Sequence, residues 1–245
     1  MGLPLEVTSA ETGIALRLIP AGSFTMGSPT GEAERGSAEL PHQVTLRKGF
    51  YCGKYPVTQG QWQAVMGETP SHSKAAGAEA PVEQVSWEDC QGFLKKLCQR
   101  EDVREGTYRL LTEAEWEYAC RAGTATLFCY GDSLSPSQAN FDGNYPYGGA
   151  AKGEYRETTT AVGQFKANGW GLYELHGSAW EWCNDGYGEY AGATDPAGPG
   201  WGSSRVLRGG SWFNRGVFCR SAYRYGYEPG IRYDGLGFRL ARAGA

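Results

Sequence analysis

A bilayer-spanning helix needs about 20 consecutive apolar residues, and no run of that length occurs in the 245-residue chain. Membrane insertion is therefore not expected. The opening residues, Met1-Gly2-Leu3-Pro4-Leu5-Glu6, lack the basic stretch and apolar core of a secretory leader, so the chain reads as cytoplasmic. No block of Lys or Arg occurs, and a formal net charge of -4 leaves no electrostatic footprint for nucleic acid. The seven cysteines (Cys52, Cys90, Cys98, Cys120, Cys129, Cys183 and Cys219) include no CxxC pair, which removes zinc-ribbon and thioredoxin-like readings. Most of them are expected to be buried thiols that pack as small hydrophobes. His42, His72 and His176 are isolated from one another and from matched carboxylates, so neither a zinc centre nor His-based catalysis is indicated.

What the chain has instead is glycine and aromatic residues: 37 Gly, 8 Trp and 15 Tyr. Glycine weakens helix and strand interiors and serves tight turns, so short elements joined by long loops are expected. Leu16 to Ser28 shows two alternating runs about Pro20-Ala21-Gly22, which predicts a hairpin. Pro41 to Leu46 and Phe50 to Val57 read as further strands of an early antiparallel sheet. Three helix starts carry a hydroxyl residue with a carboxylate or carboxamide three positions on: Thr58 with Gln61, Ser86 with Asp89, and Thr112 with Glu115. The second helix, to about Arg100, should bury Trp87, Cys90, Leu94, Leu97 and Cys98, and the third Trp116, Ala119 and Cys120. Residues 123–167 have no sustained period and read as one long ordered loop that needs a fastener. No internal repeat or flexible linker divides residues 1–245, so one domain is expected.

By composition alone the aromatics of residues 205–242 suit ordinary β-core strands, but their setting beside Gly, Arg and Asp suits loops that display a recognition surface. The segment opens with Arg208-Gly209-Gly210-Ser211-Trp212 and closes with Gly237-Phe238-Arg239-Leu240, and between these lies a mixture of Tyr, Phe, Arg and Gly. Rigid aromatics with few torsions to freeze, together with the planar Arg fork, suit binding better than catalysis.

Several segments together resemble the formylglycine-generating enzyme or sulfatase-modifying-factor family. They are Ile19 to Gly27, Pro56-Val57-Thr58, Pro81 to Trp87, Arg109 to Glu117, Gly171-Leu172-Tyr173, Ala179-Trp180-Glu181-Trp182, Arg208 to Trp212 and Gly237-Phe238-Arg239. The resemblance implies an α+β fold, an elaborated C-type-lectin-like domain with short antiparallel strands, two main helices and much irregular structure. The family's oxidases convert a sulfatase cysteine to formylglycine with two copper-binding cysteines. At the matching positions this chain has Asn214 and Cys219. Cu(I) prefers paired thiolates, so no copper is expected and the chain is read as a binder, not an enzyme. A formylglycine-generating-type oxidase and a non-catalytic sulfatase-modifying-factor-like domain are the alternatives.

The chain is also similar to variable proteins of diversity-generating retroelements, in which adenine-directed mutation randomises a C-terminal region. Between Phe213 and Phe238 only Glu228 falls outside the residue alphabet that such mutation produces. This resemblance implies a hypervariable surface that binds an unknown ligand, expected to be protein, through Phe213, Asn214, Arg215, Val217, Phe218, Tyr223, Tyr225, Gly226, Tyr227, Gly230, Ile231, Tyr233, Asp234 and Leu236. It leaves Cys219-Arg220-Ser221-Ala222, Arg224, Pro229, Arg232 and Gly237-Phe238 as framework. The family resemblance further implies structural calcium at Glu174, Gly177, Ala179 and Glu181, with a second site at Asn140, Phe141, Glu154 and Arg156. For Glu181 the competing reading is a plain ion pair with an arginine, and His176 reads as a turn residue beside the cation.

Overall fold

The computed structural model describes residues 3–190, 192–199 and 202–244. Met1 and Gly2, the first residues of the segment read for a leader, lie outside that set.

All three capping boxes form. Thr58, Ser86 and Thr112 each accept from the backbone N–H three residues on, and Gln61, Asp89 and Glu115 return the bond. Reciprocal satisfaction of donors at the entrance fixes where each helix begins. The helices are α1 (Gln59–Met66), α2 (Trp87–Arg100) and α3 (Glu113–Arg121). On α2 the buried stripe is Cys90, Phe93, Leu94, Leu97 and Cys98, with Trp87 partly covered at the entrance. On α3 Trp116, Ala119 and Cys120 are fully buried. None of the described helices is long and apolar enough to cross a membrane.

The strands in chain order are β1 (Glu6–Thr8), β2 (Ala15–Ile19), β3 (Gly22–Met26), β4 (His42–Leu46), β5 (Phe50–Gly53), β6 (Tyr108–Leu110), β7 (Trp180–Gly186), β8 (Arg205–Arg208), β9 (Arg224–Tyr227), β10 (Leu236–Phe238) and β11 (Leu240–Ala243). One sheet runs β1-β2-β5-β11-β6, a second runs β10-β7-β8-β9, and β3 pairs with β4. The hairpin expected across Pro20-Ala21-Gly22 does not form. The chain turns there, but β2 pairs with β1 and β5, and β3 crosses to β4. Alternation identified the strands and could not choose their partners. The strands named above pair antiparallel as expected, except that β10 runs parallel to β7 with Leu236 opposite Trp180.

Two packed regions hold the sheets. The first joins α1 and α2 to Trp182, Leu207, Phe238 and Leu240, and the second joins α3 to β3, β4 and β5. Residues 122–179 contain no helix or strand. Their fasteners include side-chain bonds to backbone: Asn168 Nδ2 donates to Ala119 O at 2.7 Å, and Asn140 Nδ2 to Thr158 O at 2.9 Å. A small apolar knot of Phe128, Leu134, Ala139, Phe141 and Cys219 lies beneath them.

A candidate binding basin on the C-terminal segment

Four buried arginines tie the C-terminal segment to the rest of the molecule. Arg208 pairs with Glu117, Arg220 with Glu32 and Glu39, Arg224 with Glu113, and Arg239 with Glu181. Each partner lies outside residues 205–242, and all four guanidiniums are buried. A buried charge is tolerated only when paired and hydrogen-bonded, so these contacts fix the register of the segment on its support. The glycines of Arg208-Gly209-Gly210 serve the same end. Gly210 has φ of +75°, and a Cβ there would lie 2.6 Å from Cys219 Sγ.

Between the anchors the segment forms a basin of about 650 Å³ lined by Trp180, Phe213, Asn214, Phe218, Tyr223, Tyr225, Tyr227, Ile231, Arg232 and Tyr233. All but Trp180 come from the segment itself. Tyr225 and Tyr227 project from β9 and are 44% and 37% exposed, which places them on open walls. Tyr223 and Tyr233 are half-buried against the first core region and form the lower walls. The Tyr233 hydroxyl is pushed above its ordinary range by burial.

The remaining residues expected at the surface divide. Arg215 is exposed and pairs with Glu34 at 3.5 Å, and Asp234 pairs with His72 at 3.3 Å. Gly230 has open space about it. Leu236 and Val217, in contrast, are buried: Leu236 sits in β10 against Trp180, and Val217 lies in a short 3-10 turn, Gly216–Cys219. Gly226 faces the other side of β9, where a Cβ would meet the Tyr187 ring at 2.5 Å. These three positions are corrected from display to support. Strand alternation puts Gly226 opposite in sense to Tyr225 and Tyr227, a signal the sequence carried. Trp180 and Arg232 line the basin and were missed because their motifs read as framework.

Cys219 does not open on the basin. Its thiol lies in the apolar knot, and burial pushes it well above the usual thiol range. Six of the seven cysteines are buried and all are free. His176 stands in a bend, as expected, and is 2% exposed. Nδ1 donates to Cys219 O at 2.7 Å, Nε2 accepts from Cys129 N at 3.1 Å, and burial pushes its pKa down to about 4.

The two oxygen sets expected for calcium are each half-suited to a hard cation. Glu174 Oε2 and Asn140 Oδ1 are buried acceptors without a hydrogen-bond partner, which is the donor chemistry calcium takes. Glu181 is already filled, accepting from Arg239 at 2.9 Å and Trp116 Nε1 at 2.7 Å. Glu154 is exposed and pairs with Arg156 at 3.1 Å. Gly177 and Phe141 could offer a cation only backbone carbonyls, and a Cβ at Gly177 would lie 2.2 Å from Asn140 O. Ala179 is buried beside them. Among the described residues no three His, Cys, Asp or Glu side chains gather as a metal site.

The family profile described as "Sulfatase-modifying factor enzyme 1-like domain" matches residues 6–244. The chain belongs to this family. A formylglycine-generating enzyme of Streptomyces coelicolor is 30% identical, with 97% of this chain and 95% of that protein covered. Among solved structures, variable protein 1 of Treponema denticola has a TM-score of 0.76 at 29% identity over 98% of both chains. PvdO from Pseudomonas aeruginosa has a TM-score of 0.83 at 28% identity, over 99% of this chain and 100% of that one. The elaborated C-type-lectin-like α+β architecture of this sulfatase-modifying-factor-like chain is thereby shown. One expectation is overturned: the reading of the chain as a binder and not an enzyme is contradicted by relatives about 30% identical over most of its length that are named formylglycine-generating enzyme.

Proposed function

We propose that the chain binds a polypeptide in the aromatic basin, and that the basin's lining is a surface diversified by a retroelement. The observation that carries this reading is the division of labour within one segment. Buried arginines, each paired to a carboxylate elsewhere, hold residues 205–242 in place, and the aromatics between them line an open concavity. Aromatic clusters in a concave, well-supported site are the usual centres of binding energy. The likeness to Treponema denticola variable protein 1 over 98% of both chains supports the diversified surface.

The test is selection of peptides from a random phage-displayed library on the immobilised protein. Selected peptides should lose binding to Tyr225→Ala and Tyr227→Ala, and binding unaffected by either change would overturn the reading. An adenine-rich near-copy of the 213–238 coding sequence in adjacent DNA is expected for a diversified region.

A second reading is favoured by the relatives' names: the bound polypeptide is a sulfatase segment whose cysteine is oxidised. Turnover of a cysteine-containing sulfatase peptide by copper-treated protein would establish it, and loss of that turnover in Tyr225→Ala would place the substrate in the basin.

A further inference from the structure

The second sheet ends on an open edge. Its order β10-β7-β8-β9 leaves β9 paired on one side, in regular register with β8. Where the backbone groups of β9 point follows from the far side of the sheet. Trp180 N donates to Gly235 O on the approach to β10. Trp180 and Trp182 therefore turn their N–H and C=O groups toward β10, and Glu181, between them, turns toward β8. Glu181 stands opposite Arg208, and Leu207 stands opposite Tyr225. Arg208 thus bonds to β7 and Leu207 to β9, which leaves the N–H and C=O groups of Arg224 and Gly226 directed away from the sheet. None of these four groups meets a hydrogen-bond partner among the described residues.

Other outer strands are covered or charged. On β10 the Phe238 carbonyl accepts from Val57 N at 3.0 Å, and on β4 Thr45 exchanges bonds of 2.8 Å with Ala193 and Asp195. On β1, Glu6 lies beside Arg17 and Lys54. Natural edges are blunted by charge, proline, a bulge or a covering segment. Tyr225-Gly226-Tyr227 carries no charge and no proline, its register with β8 shows no bulge, and the charge of Arg224 is turned inward onto Glu113. Exposed rings flank this edge instead. Tyr225 and Tyr227 stand on the basin face, and Tyr187, 39% exposed, lies on the reverse face against Gly226.

Donor and acceptor pairs that recur at every second residue, about 6.8 Å apart, are matched by another extended backbone. A second copy of this chain is a poor occupant. Four residues reach about 14 Å along the edge, whereas a stable contact between proteins buries at least about 1,200 Å², and two edges laid together would leave both basins unfilled.

We propose, on the polypeptide-binding reading above, that the ligand docks as an added strand on the edge of β9. Its backbone bonds to Arg224 and Gly226. Its residues beside Tyr225 and Tyr227 send their side chains over the basin, and the residue beside Gly226 sends its side chain toward Tyr187.

The experiment uses the full chain and a phage-selected peptide that needs Tyr225 and Tyr227. In amide exchange followed by NMR, Tyr225 and Tyr227, bonded to β8, should be protected with or without the peptide. Arg224 and Gly226 should gain about tenfold or greater protection when the peptide is added. N-methyl groups placed singly along the peptide should abolish binding at alternate positions, those facing β9, and be tolerated between them. Unchanged exchange at Gly226 on binding, or N-methyl groups tolerated at every position, would overturn this inference and leave the polypeptide reading standing. Protection of Gly226 that rises with protein concentration in the absence of peptide would assign the edge to a second copy and overturn it as well. A library that yields no peptide dependent on Tyr225 and Tyr227 would overturn both.

Discussion

Arg224 and Glu113 form a two-bond fork inside the protein, Nε to Oε1 at 2.8 Å and Nη2 to Oε2 at 2.6 Å. The arginine stands on β9, two strand positions from Gly226 and between basin-wall tyrosines, and the glutamate opens α3. The Tyr187 and Tyr190 rings lie over the guanidinium, 4.8 and 4.2 Å from it. Alternation along one strand thus sends tyrosines to the basin and the anchor to the interior.

Removing one partner of this pair strands the other. Arg224→Met or Glu113→Gln should each lower unfolding free energy by roughly 3 to 5 kcal/mol. The double variant should cost less than the sum of the two singles. Urea denaturation of the four proteins in a double-mutant cycle measures this.

The open walls should behave in the opposite way. Tyr225→Ala and Tyr227→Ala should each change stability by no more than about 0.5 kcal/mol, as exposed substitutions generally do. Tyr223→Ala and Tyr233→Ala should cost more, since both side chains pack on the core. Melting temperatures of the four variants check the ordering.

His176 should make the protein acid-sensitive. Its folded pKa is about 4 against an ordinary 6.5, so the unfolded chain binds the proton first as pH falls. Stability from this group is complete above 6.5, declines through the interval and levels off below 4. A shift of that size corresponds to roughly 3 kcal/mol. Denaturation at successive pH values, repeated with His176→Gln, should show that slope only where the histidine is present.

Glu174 should have the contrary slope. Burial pushes its carboxyl up to about 7, so its contribution is favourable below the ordinary 4.5 and is lost as pH rises through 7. Glu174→Gln should flatten that loss. A cation on the unpartnered Oε2 would offset it as well, so calcium should raise the melting temperature at pH 8, by about 2.7 kcal/mol of stability when in about hundredfold excess over its Kd. The increment should vanish at pH 5 and in Glu174→Gln, as differential scanning fluorimetry with calcium or EDTA would show.

The sequence disclosed the helices best, because a capping box is local: Thr58, Ser86 and Thr112 name their own partners three residues on. It disclosed most of the basin walls, because aromatics set between Arg and Gly have no other obvious place. Long-range pairing was not legible. Nothing near Pro20 says that β3 will leave β2 for β4, and nothing near Leu236 says that β10 will lie parallel to β7. The carboxylate partners of Arg208, Arg220 and Arg239, lying 91, 181 and 58 residues away, were not legible either.

The two ends of the basin segment are held almost at one point. Gly177 N donates to Gly209 O and Trp180 N donates to Gly235 O, each at 2.7 Å, so both ends are fastened to residues three apart on the approach to β7. Residues 210–234 thus leave and rejoin the body of the fold at neighbouring points. Their entry and exit stay side by side while Arg220 and Arg224 pin the middle to Glu39 and Glu113, so the exposed side chains can change without altering the course of the backbone.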